Sequence, residues 1–241
     1  MVRLKYNPWI ECCTFFKELN QNWCFLHNIL SKGWKELFNE ENLHLIFARM
    51  PTLYVQSALK RSIDIVFSLL ALPVAAPLVV VLGILVKLTS KGPVFYSQER
   101  IGKDNRPFTI YKMRTLRADN QDPYAGMRKG DKAVVPFGYF LRQSRIDELP
   151  QIWNILCGDM SWIGPRPEQT ALVAETLSLD PTFAQRHAVR PGITGLAQVH
   201  NPNATPRHNQ EKLVKDLEYI HTASVWMDLG LLLRSVVAIF K

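Results

Sequence analysis

The stretch from Ser144 to Pro167 reads SRIDELPQIWNILCGDMSWIGPRP. Arg142 and Arg145 stand at its start, and two adjacent carboxylates, Asp147 and Glu148, follow them. A short apolar run and a Gly-Pro-Arg-Pro turn close the stretch. Since neighbouring residues on a helix face different directions, the two acids can hold different roles, one toward a substrate and one toward a metal. The nearby arginines favour ionised carboxylates and attract phosphate.

An ordinary alternative exists for this pair of acids. Acidic side chains are favoured in the first turn of a helix by the helix dipole, and charged side chains on a surface need no further role. Asp147 and Glu148 could therefore mark nothing more than a solvated helix start. The segments on either side of the stretch help to decide between these interpretations.

An apolar segment lies upstream, from Ile65 to Val86, with 22 residues and no charge. It is long enough to cross a bilayer as a straight helix. Pro73 and Pro77 lie near its middle, where each removes a helix hydrogen bond and favours a bend. Both flanks are basic, with Lys60 and Arg61 before the segment and Lys87 and Lys91 after it. The positive-inside rule then places both ends on the cytoplasmic face.

A helix-break-helix hairpin over residues 60–90, which enters and leaves the same leaflet, satisfies both observations. The alternative is an ordinary kinked span, because prolines are tolerated in spanning helices. Asp64 lies just before the apolar segment, and a carboxylate at that depth needs a partner. Arg61 is within helical reach, so we predict a structural pair between Asp64 and Arg61.

The net charge is +8 over 241 residues, and the excess is concentrated in one zone. Residues 60–117 hold ten Lys and Arg against three Asp and Glu, whereas residues 118–241 hold thirteen of each. This basic zone surrounds the apolar segment, which indicates an anionic membrane lipid face or phosphate-bearing substrates. Nucleic acid is the competing partner of a basic zone, but no recognised binding motif accompanies it, so we expect no nucleic-acid role.

The first 59 residues form an aromatic-rich extension in which polar residues interrupt Trp, Phe and Leu throughout. This pattern predicts amphipathic helices, which would serve either at the membrane interface or as a packing and homodimer surface. No cleavable signal peptide is evident, because no long apolar core follows the N-terminus. The four cysteines have neither zinc nor CxxC spacing, which favours reduced thiols and a cytoplasmic compartment.

Residues 92–116 alternate in the manner of two strands, PVFYS and FTIYKM, and predict a small antiparallel element near residues 93–113. We place the turn between them at residues 98–102, where Glu99 and Arg100 could meet a substrate or each other. Lys112 and Arg114 share one face of the second strand, as phosphate contacts would require. A plain solvated strand face is equally compatible with these two residues.

Farther along, residues 118–135 are typical of a loop, and residues 172–189 of a helix that stops and restarts at Asp180-Pro181. Arg190 opens an RPGITG turn whose glycines allow close backbone approach to a ligand. Residues 211–220 predict an amphipathic helix, and residues 226–240 an apolar one that lies along the membrane or packs on the core. The six histidines show no ligand spacing, so we expect them to be non-catalytic.

From Lys60 onward the chain resembles the bacterial sugar transferase family, the small monotopic phosphoglycosyl transferases. The resemblance rests on six blocks in the family's order: KRSIDI from Lys60, GPVFYSQERIG from Gly92, FTIYKMRTL from Phe108, SRIDELPQIWNIL from Ser144, GDMSWIGPRP from Gly158 and RPGITGLAQV from Arg190. These blocks extend over roughly three quarters of the chain, and an ordered set is more specific than any single motif.

The resemblance implies a helix-dominated α/β fold. A re-entrant membrane hairpin would occupy residues 60–90, with Ala76-Pro77 where the family typically has a Ser-Pro pair. A catalytic domain at residues 91–241, with a small antiparallel strand element and amphipathic interfacial helices, would follow. The resemblance places the protein at the bacterial inner membrane, with this domain on the cytoplasmic face.

The resemblance also implies an activity. The family transfers a phosphosugar from a nucleoside diphosphate sugar, with UDP-sugar expected here, to polyprenyl phosphate such as undecaprenyl phosphate. Asp147 would be the nucleophile and Glu148 the ligand of Mg²⁺. Substrate contacts are expected from six cationic residues: Arg100, Lys112, Arg114, Arg145, Arg166 and Arg190. The product would begin the synthesis of exopolysaccharide, lipopolysaccharide or another membrane glycoconjugate.

Two other functions are compatible with the sequence. A membrane-bound scaffold for polysaccharide assembly would use the basic zone and the aromatic extension without chemistry. Such a scaffold would not need Asp147, Glu148, Arg166 and Arg190 in their motifs. A diphosphate-sugar hydrolase would use the same two acids with water as the acceptor.

Overall fold

The computed structural model describes residues 51–117, 133–202 and 209–239. The chain divides into two compact units, Met1–Met50 and Pro51–Lys241, and all of the described residues belong to the second. Most of the predicted extension lies outside the described residues, as do three of the four cysteines and most of the loop predicted at residues 118–135.

The long helix α2, Ala58–Thr89, follows a short helix α1, Leu53–Gln56. Helical backbone continues in α2 for 32 residues, with Pro73 and Pro77 inside it. An interruption of the helix at Ala76-Pro77 is not confirmed, because the backbone stays helical there and a bend at the two prolines would lie within one helix. The path of α2 in a membrane stays a prediction.

Two parts of α2 pack against the rest of the described chain: the turns before Pro73, called here the first arm, and the turns after Pro77, called the second arm. In the first arm, Arg61 donates hydrogen bonds to two backbone carbonyls of the helix at residues 152–157. In the second arm, Val86 is buried against Met113. Apolar side chains between the arms are largely exposed, with Leu70 at 71%. Among the described helices, only α2 is long and apolar enough to cross a membrane, judged by length and composition alone.

A buried charge cluster fixes the start of α2. Lys60 Nζ lies 3.2 Å from an Asp64 carboxylate oxygen and 2.7 Å from one of Asp228. The Ser161 hydroxyl also donates to Asp64, at 2.9 Å. Asp64 therefore pairs with Lys60, and the predicted pair with Arg61 is wrong. The reason is geometric: Lys60 precedes Asp64 by four residues and shares its buried face, whereas Arg61 reaches backbone carbonyls elsewhere.

The antiparallel element is confirmed as the hairpin of β1, Phe95–Ile101, and β2, Pro107–Met113. The turn predicted at residues 98–102 is wrong, because residues 98–101 still pair with β2. The chain reverses instead over Gly102–Arg106, where the Gly102 N–H donates to the Arg106 carbonyl at 2.8 Å. Two turn residues with positive φ follow Lys103, and their short polar side chains (Asp and Asn) tolerate that geometry.

Six further α-helices follow the hairpin in the described residues. They are α3 (Gly138–Gln143), α4 (Ile152–Cys157), α5 (Thr170–Leu179), α6 (Leu196–His200), α7 (Asn209–Thr222) and α8 (Val225–Ile239), with 3-10 helices at Ile146–Gln151 and Pro181–Ala188. The predicted stop and restart at Asp180-Pro181 is confirmed, since the Asp180 side chain accepts a hydrogen bond from the Thr182 N–H at 2.9 Å. The amphipathic helix predicted at residues 211–220 is confirmed as part of α7.

Two three-residue strands, β3 (Ser161–Ile163) and β4 (Gly192–Thr194), form a parallel pair that the sequence did not predict. The Gly164 N–H donates to the Thr194 carbonyl at 3.0 Å, and a Cβ at Gly192 would overlap the Gly164 backbone. The RPGITG glycine at this position therefore allows two chain segments to approach each other. This corrects the expectation that it makes room for a ligand.

The C-terminal helix α8 presents two faces. Leu231 is buried in a core cluster with Tyr219 and Ile220 of α7, so packing of this helix on the core is confirmed. Trp226 is 80% exposed on its other side. Contact of that exposed side with a membrane stays a prediction.

Candidate active site

A cavity of about 1160 Å³ is bordered by the β1–β2 hairpin, the 3-10 helix Ile146–Gln151 and the segment after β3. Among the described residues, nine cations line it: Arg100, Lys112, Arg114, Arg117, Arg142, Arg145, Arg166, Arg186 and Lys212. Its carboxylates are Asp147, Glu148, Glu168 and Asp216. This excess of positive charge favours a ligand with several phosphate charges.

Asp147 and Glu148 lie in the 3-10 helix, where both side chains are buried, at 8% and 6% exposed. Arg145 precedes them in the left-handed conformation, with φ at 56°. Such geometry at a non-glycine residue costs on the order of 1 kcal/mol and clusters at functional sites. The interpretation of the two acids as a solvated helix start is therefore wrong.

Glu148 is held by two cations. Its Oε1 accepts from Lys112 Nζ at 2.9 Å and from Arg166 Nη2 at 2.5 Å, and its Oε2 lies 3.4 Å from Arg166 Nη1. Burial alone would raise the pKa of Glu148, but the charges of Arg166 and Lys112 outweigh burial and hold the pKa well below its usual range. Glu148 is thus a permanent anion.

Asp147 differs from its neighbour. Its side chain forms no hydrogen bond or ion pair with any residue in the described ranges. Burial, and then the negative charge of Glu148, raises the pKa of Asp147 to about 6. At neutral pH the carboxylate is therefore mostly ionised but lacks a bonded counter-ion in the described part of the chain. An ionised, unpaired carboxylate beside fixed cations is suited to attack an electrophile.

Five of the six cations that the sequence singled out for substrate line the cavity: Arg100, Lys112, Arg114, Arg145 and Arg166. Burial, and then the charge of Arg166, lowers the pKa of Lys112 and of Arg145. Arg100 donates to the Pro167 carbonyl at 3.2 Å. The guanidinium of Arg145 makes no hydrogen bond within the described residues, so it keeps its donors for a ligand.

Arg114 has a different position from the one predicted. It borders the cavity, but its guanidinium donates to the carbonyls of Ser90 and Lys91, at 2.9 Å and 2.6 Å. Carbonyls at the end of a helix lack intrahelical partners, and a cation there also complements the helix dipole. In this structure Arg114 therefore joins β2 to the end of α2.

Arg190 does not line the cavity. Its Nε donates to the Gly158 carbonyl, just after α4, at 2.8 Å. The substrate contact expected of Arg190 is therefore not supported. The physical reason is that the Nε donor of this guanidinium is bonded to the loop between α4 and β3.

A second group of charged residues in the cavity wall holds the backbone of the site in place. The buried Arg186 donates from Nε to Asp216 at 3.0 Å and from Nη2 to the Arg166 carbonyl at 2.9 Å. Lys212 donates to Glu168 at 3.0 Å. These bonds fix the backbone that carries Arg166.

Sequence reasoning missed this supporting group, although one member had a signal. Asp216 lies three residues after Leu213 and four before Ile220, on the apolar face of α7. A carboxylate on a buried face requires a partner. No comparable pattern singles out Arg186, because its neighbours come from distant parts of the chain.

The donor set allows Mg²⁺ in a limited way. The described residues contain no cluster of three or more His, Cys, Asp or Glu suited to a metal. Mg²⁺ commonly binds one or two carboxylates together with substrate phosphates and water. Glu148 Oε2 has one long contact, to Arg166, and retains lone pairs for a cation. Glu148, with Asp147 beside it, therefore fits a Mg²⁺ bound mainly by a ligand's phosphates.

Comparison with known proteins agrees with this geometry. The profile of the bacterial sugar transferase family matches residues 55–241. A UDP-N-acetylgalactosamine-undecaprenyl-phosphate N-acetylgalactosaminephosphotransferase of Aeromonas hydrophila is 40% identical over 76% of this chain and 44% of its own length. A UDP-glucose:undecaprenyl-phosphate glucose-1-phosphate transferase of Caulobacter vibrioides is 40% identical over 73% of this chain and 68% of its own.

An exopolysaccharide production protein PSS of Rhizobium leguminosarum is 39% identical over 75% of this chain and 94% of its own length. The chain thus spans less than half of the Aeromonas relative and nearly all of the Rhizobium one. The profile match covers well over half of the chain. This chain belongs to the bacterial sugar transferase family.

Proposed function

We propose that this chain transfers a phosphosugar from a UDP-sugar to undecaprenyl phosphate through a covalent intermediate on Asp147. Relatives named for such transfers use UDP-N-acetylgalactosamine or UDP-glucose with undecaprenyl phosphate. The observation that supports the proposal most is the contrast between two adjacent carboxylates. Glu148 is paired with Lys112 and Arg166, while Asp147 has no partner in the described residues of a cationic cavity.

In the first step, an Asp147 carboxylate oxygen attacks the phosphorus next to the sugar. A bond forms between that oxygen and phosphorus, and the phosphorus–oxygen bond to UMP breaks, so that UMP leaves with the electron pair. Arg145 and Arg166 are placed to interact with the non-bridging oxygens, where negative charge is concentrated in the transition state. A carboxylate is a weak nucleophile, so the reaction depends on this charge stabilisation and on UMP as leaving group.

In the second step, an oxygen of the acceptor phosphate attacks the same phosphorus. The bond between Asp147 and phosphorus breaks, the carboxylate is restored, and the polyprenyl diphosphosugar forms. Donor and acceptor together carry the same charge as the two products, so neither step needs a proton at Asp147. Division into two steps lets one cavity serve a soluble donor and a membrane-bound acceptor in turn.

Mg²⁺ belongs to this proposal as a cofactor. Glu148 would hold it through Oε2, together with oxygens of the donor diphosphate. When bound, Mg²⁺ would neutralise charge on the diphosphate. Lys112 and Arg166 keep Glu148 in place for that role, and their charges also act on the phosphates directly.

The proposed setting is the cytoplasmic face of the bacterial inner membrane, with α2 as a re-entrant hairpin. Contacts at both arms of α2, exposed apolar side chains between them and basic flanks support this path. Cysteines placed at the exposed Gln56 and Lys91, in a cysteine-free background, test it. Both should react with a membrane-impermeant thiol reagent in inside-out vesicles only. Labelling of the two positions from opposite sides would refute a re-entrant path.

A trapping experiment tests the chemistry. The purified protein is mixed with Mg²⁺ and a panel of UDP-sugars without acceptor, quenched and digested for mass spectrometry. We expect one burst of UMP per protein and a sugar-phosphate adduct on the peptide that contains Asp147. Asp147→Asn should show neither. The matched control is Asp104→Asn, at an exposed turn position outside the cavity whose positive φ suits Asn.

Each other outcome has a defined meaning. Continuous UMP release without acceptor would identify a hydrolase. No UMP from any sugar nucleotide, with or without undecaprenyl phosphate, would favour a scaffold. Full turnover by Asp147→Asn would remove Asp147 as the nucleophile.

A further inference from the structure

One end of the cavity is lined by exposed aromatic side chains. Phe95 and Tyr96 border it at the start of β1, and they are 50% and 47% exposed. Pro93 borders the same end. Binding of a phosphate does not require large apolar surfaces, so the two rings indicate an apolar part of the ligand.

This aromatic end adjoins the second arm of α2. A Cβ built on Gly83 of α2 would lie 3.0 Å from a Val94 methyl group, which places Val94 directly against that helix. The Arg114 N–H donates to the Val94 carbonyl at 2.8 Å, and the Arg114 guanidinium holds the end of α2. Leu88, in the last turn of α2, is 78% exposed. Phe95 pairs in register with Met113, which packs against Val86 of α2, and Tyr96, on the opposite face of β1, pairs with Lys112. The start of β1 therefore connects the apolar surface of α2 with the cavity.

The same rings lead to the reactive carboxylates. Tyr96 pairs in register with Lys112, which donates to Glu148. Arg142 and Arg145 line the same cavity and offer positive charge to a phosphate group. A ligand with a phosphate head and an apolar tail matches this spatial order of surfaces. Its head would lie near the carboxylates and its tail toward α2.

We propose that Phe95 and Tyr96 bind the first isoprene units of the polyprenyl phosphate acceptor beside α2. This inference rests on the proposed function, which supplies the acceptor. Isoprene units are branched, unsaturated hydrocarbons, and two aromatic faces offer them a large apolar contact, while the Tyr96 hydroxyl keeps one ring edge polar. The sugar nucleotide has no such chain, so the rings distinguish the acceptor step from the donor step.

The test separates the two half-reactions in the double variant Phe95→Ala/Tyr96→Ala. The burst of UMP without acceptor should be unchanged, because it reports only donor and Asp147. The half-saturating concentration should rise roughly tenfold for undecaprenyl phosphate, as expected for the loss of two apolar contacts. It should rise by a similar factor for geranyl phosphate, a water-soluble phosphate with two isoprene units.

Two control variants sharpen this result. Tyr96→Phe keeps the ring and should stay within about twofold of the parent protein, since apolar area is retained. Trp226→Ala removes an exposed aromatic side chain of α8 that does not line the cavity. It should leave binding of geranyl phosphate unchanged even if attachment to membranes weakens.

The outcomes are distinct. An unchanged half-saturating concentration for geranyl phosphate in the double variant would overturn the inference, and so would an effect confined to undecaprenyl phosphate. Failure of the parent protein to form an adduct would refute the proposed function instead. Should the double variant lose its burst through misfolding, the single variant Phe95→Ala, which removes one of the two apolar contacts, carries the same test.

Discussion

Two buried charge clusters in the described part of this chain contain similar residues but have different roles. At the start of α2, Lys60 lies between Asp64 and Asp228, and Asp228 also accepts hydrogen bonds from Tyr54 at 2.7 Å and Tyr219 at 2.8 Å. Both carboxylates have partners there. Removal of one partner from a buried pair is costly, because the charge left behind is unpaired.

The cavity reverses this arrangement. Glu148 takes two cations, Lys112 and Arg166, and Asp147 next to it is bonded to none of the described residues. The comparison shows what separates a structural cluster from a reactive one. Where each carboxylate is paired, the cluster fixes the positions of helices. Where one carboxylate is left unpaired among cations, the free-energy cost of its charge can instead favour a reaction at that carboxylate.

The largest difference between the clusters should appear when one aspartate of each becomes asparagine. Asp147→Asn should lower turnover roughly 10⁴-fold, as loss of a covalent nucleophile does, with no loss of thermal stability. Asp228→Asn should cost about 3 kcal/mol of unfolding free energy, because Lys60 loses a partner, while turnover per folded molecule is retained. Steady-state assays and denaturant unfolding measure both. Equal losses of stability would erase the distinction between the clusters.

A second comparison concerns two arginines from adjacent motifs. Arg166→Gln should lower turnover roughly 100-fold, because a donor to the developing charge and to Glu148 is lost. Arg190→Gln should cost about 1 kcal/mol of stability through its lost bond to the Gly158 carbonyl. Its Michaelis constant for the UDP-sugar should stay unchanged. A large rise in that constant would return Arg190 to the substrate site.

A smaller effect is expected from pH. The carboxylate of Asp147 must be ionised to attack, and its pKa is about 6. The rate of the UMP burst should therefore fall about tenfold for each pH unit well below 6, and level off above about 7. Glu148 stays ionised throughout this range. A burst rate that is flat between pH 5 and 8 would contradict the raised pKa of Asp147.

The same pKa affects stability with the opposite sign. Folding raises the pKa of Asp147 from 3.8 to about 6, so the folded protein binds the proton more tightly. This contribution to stability should therefore grow as pH falls through 6, and it reaches at most about 3 kcal/mol below the unfolded pKa of 3.8. Asp147→Asn should remove that gain. Unfolding curves of both proteins at pH 5 and pH 7.5 measure the difference.

Local patterns were enough to predict the β1–β2 hairpin, the helix stop at Asp180 and the long apolar helix α2. Each depends on residues that are close in sequence, such as strand alternation or a proline. The three-residue strands β3 and β4 lack any period, so only their tertiary pairing reveals them. Motif order supplied Asp147 and Glu148, but the sequence could not show which of the two acids would be paired.

Partner choice was the harder part of the site. The distinction between Lys60 and Arg61 as partner of Asp64 depends on the neighbours of α2, and the sequence contains no direct record of them. The same holds for Arg190, whose guanidinium is used by a carbonyl 32 residues away. Arg186 could not be identified from the sequence for the same reason. Donor and acceptor spacing along the chain does not determine which bonds form between distant segments.

Arg114 has a consequence for how the lipid environment acts on this protein. It binds the carbonyls of Ser90 and Lys91, just after the end of α2, and lies two residues after Lys112, the counter-ion of Glu148. In the membrane path that we propose for α2, a change in helix tilt would act on the cavity through this guanidinium. We expect bilayer thickness, which sets the tilt of a hydrophobic helix, to act as a control on turnover.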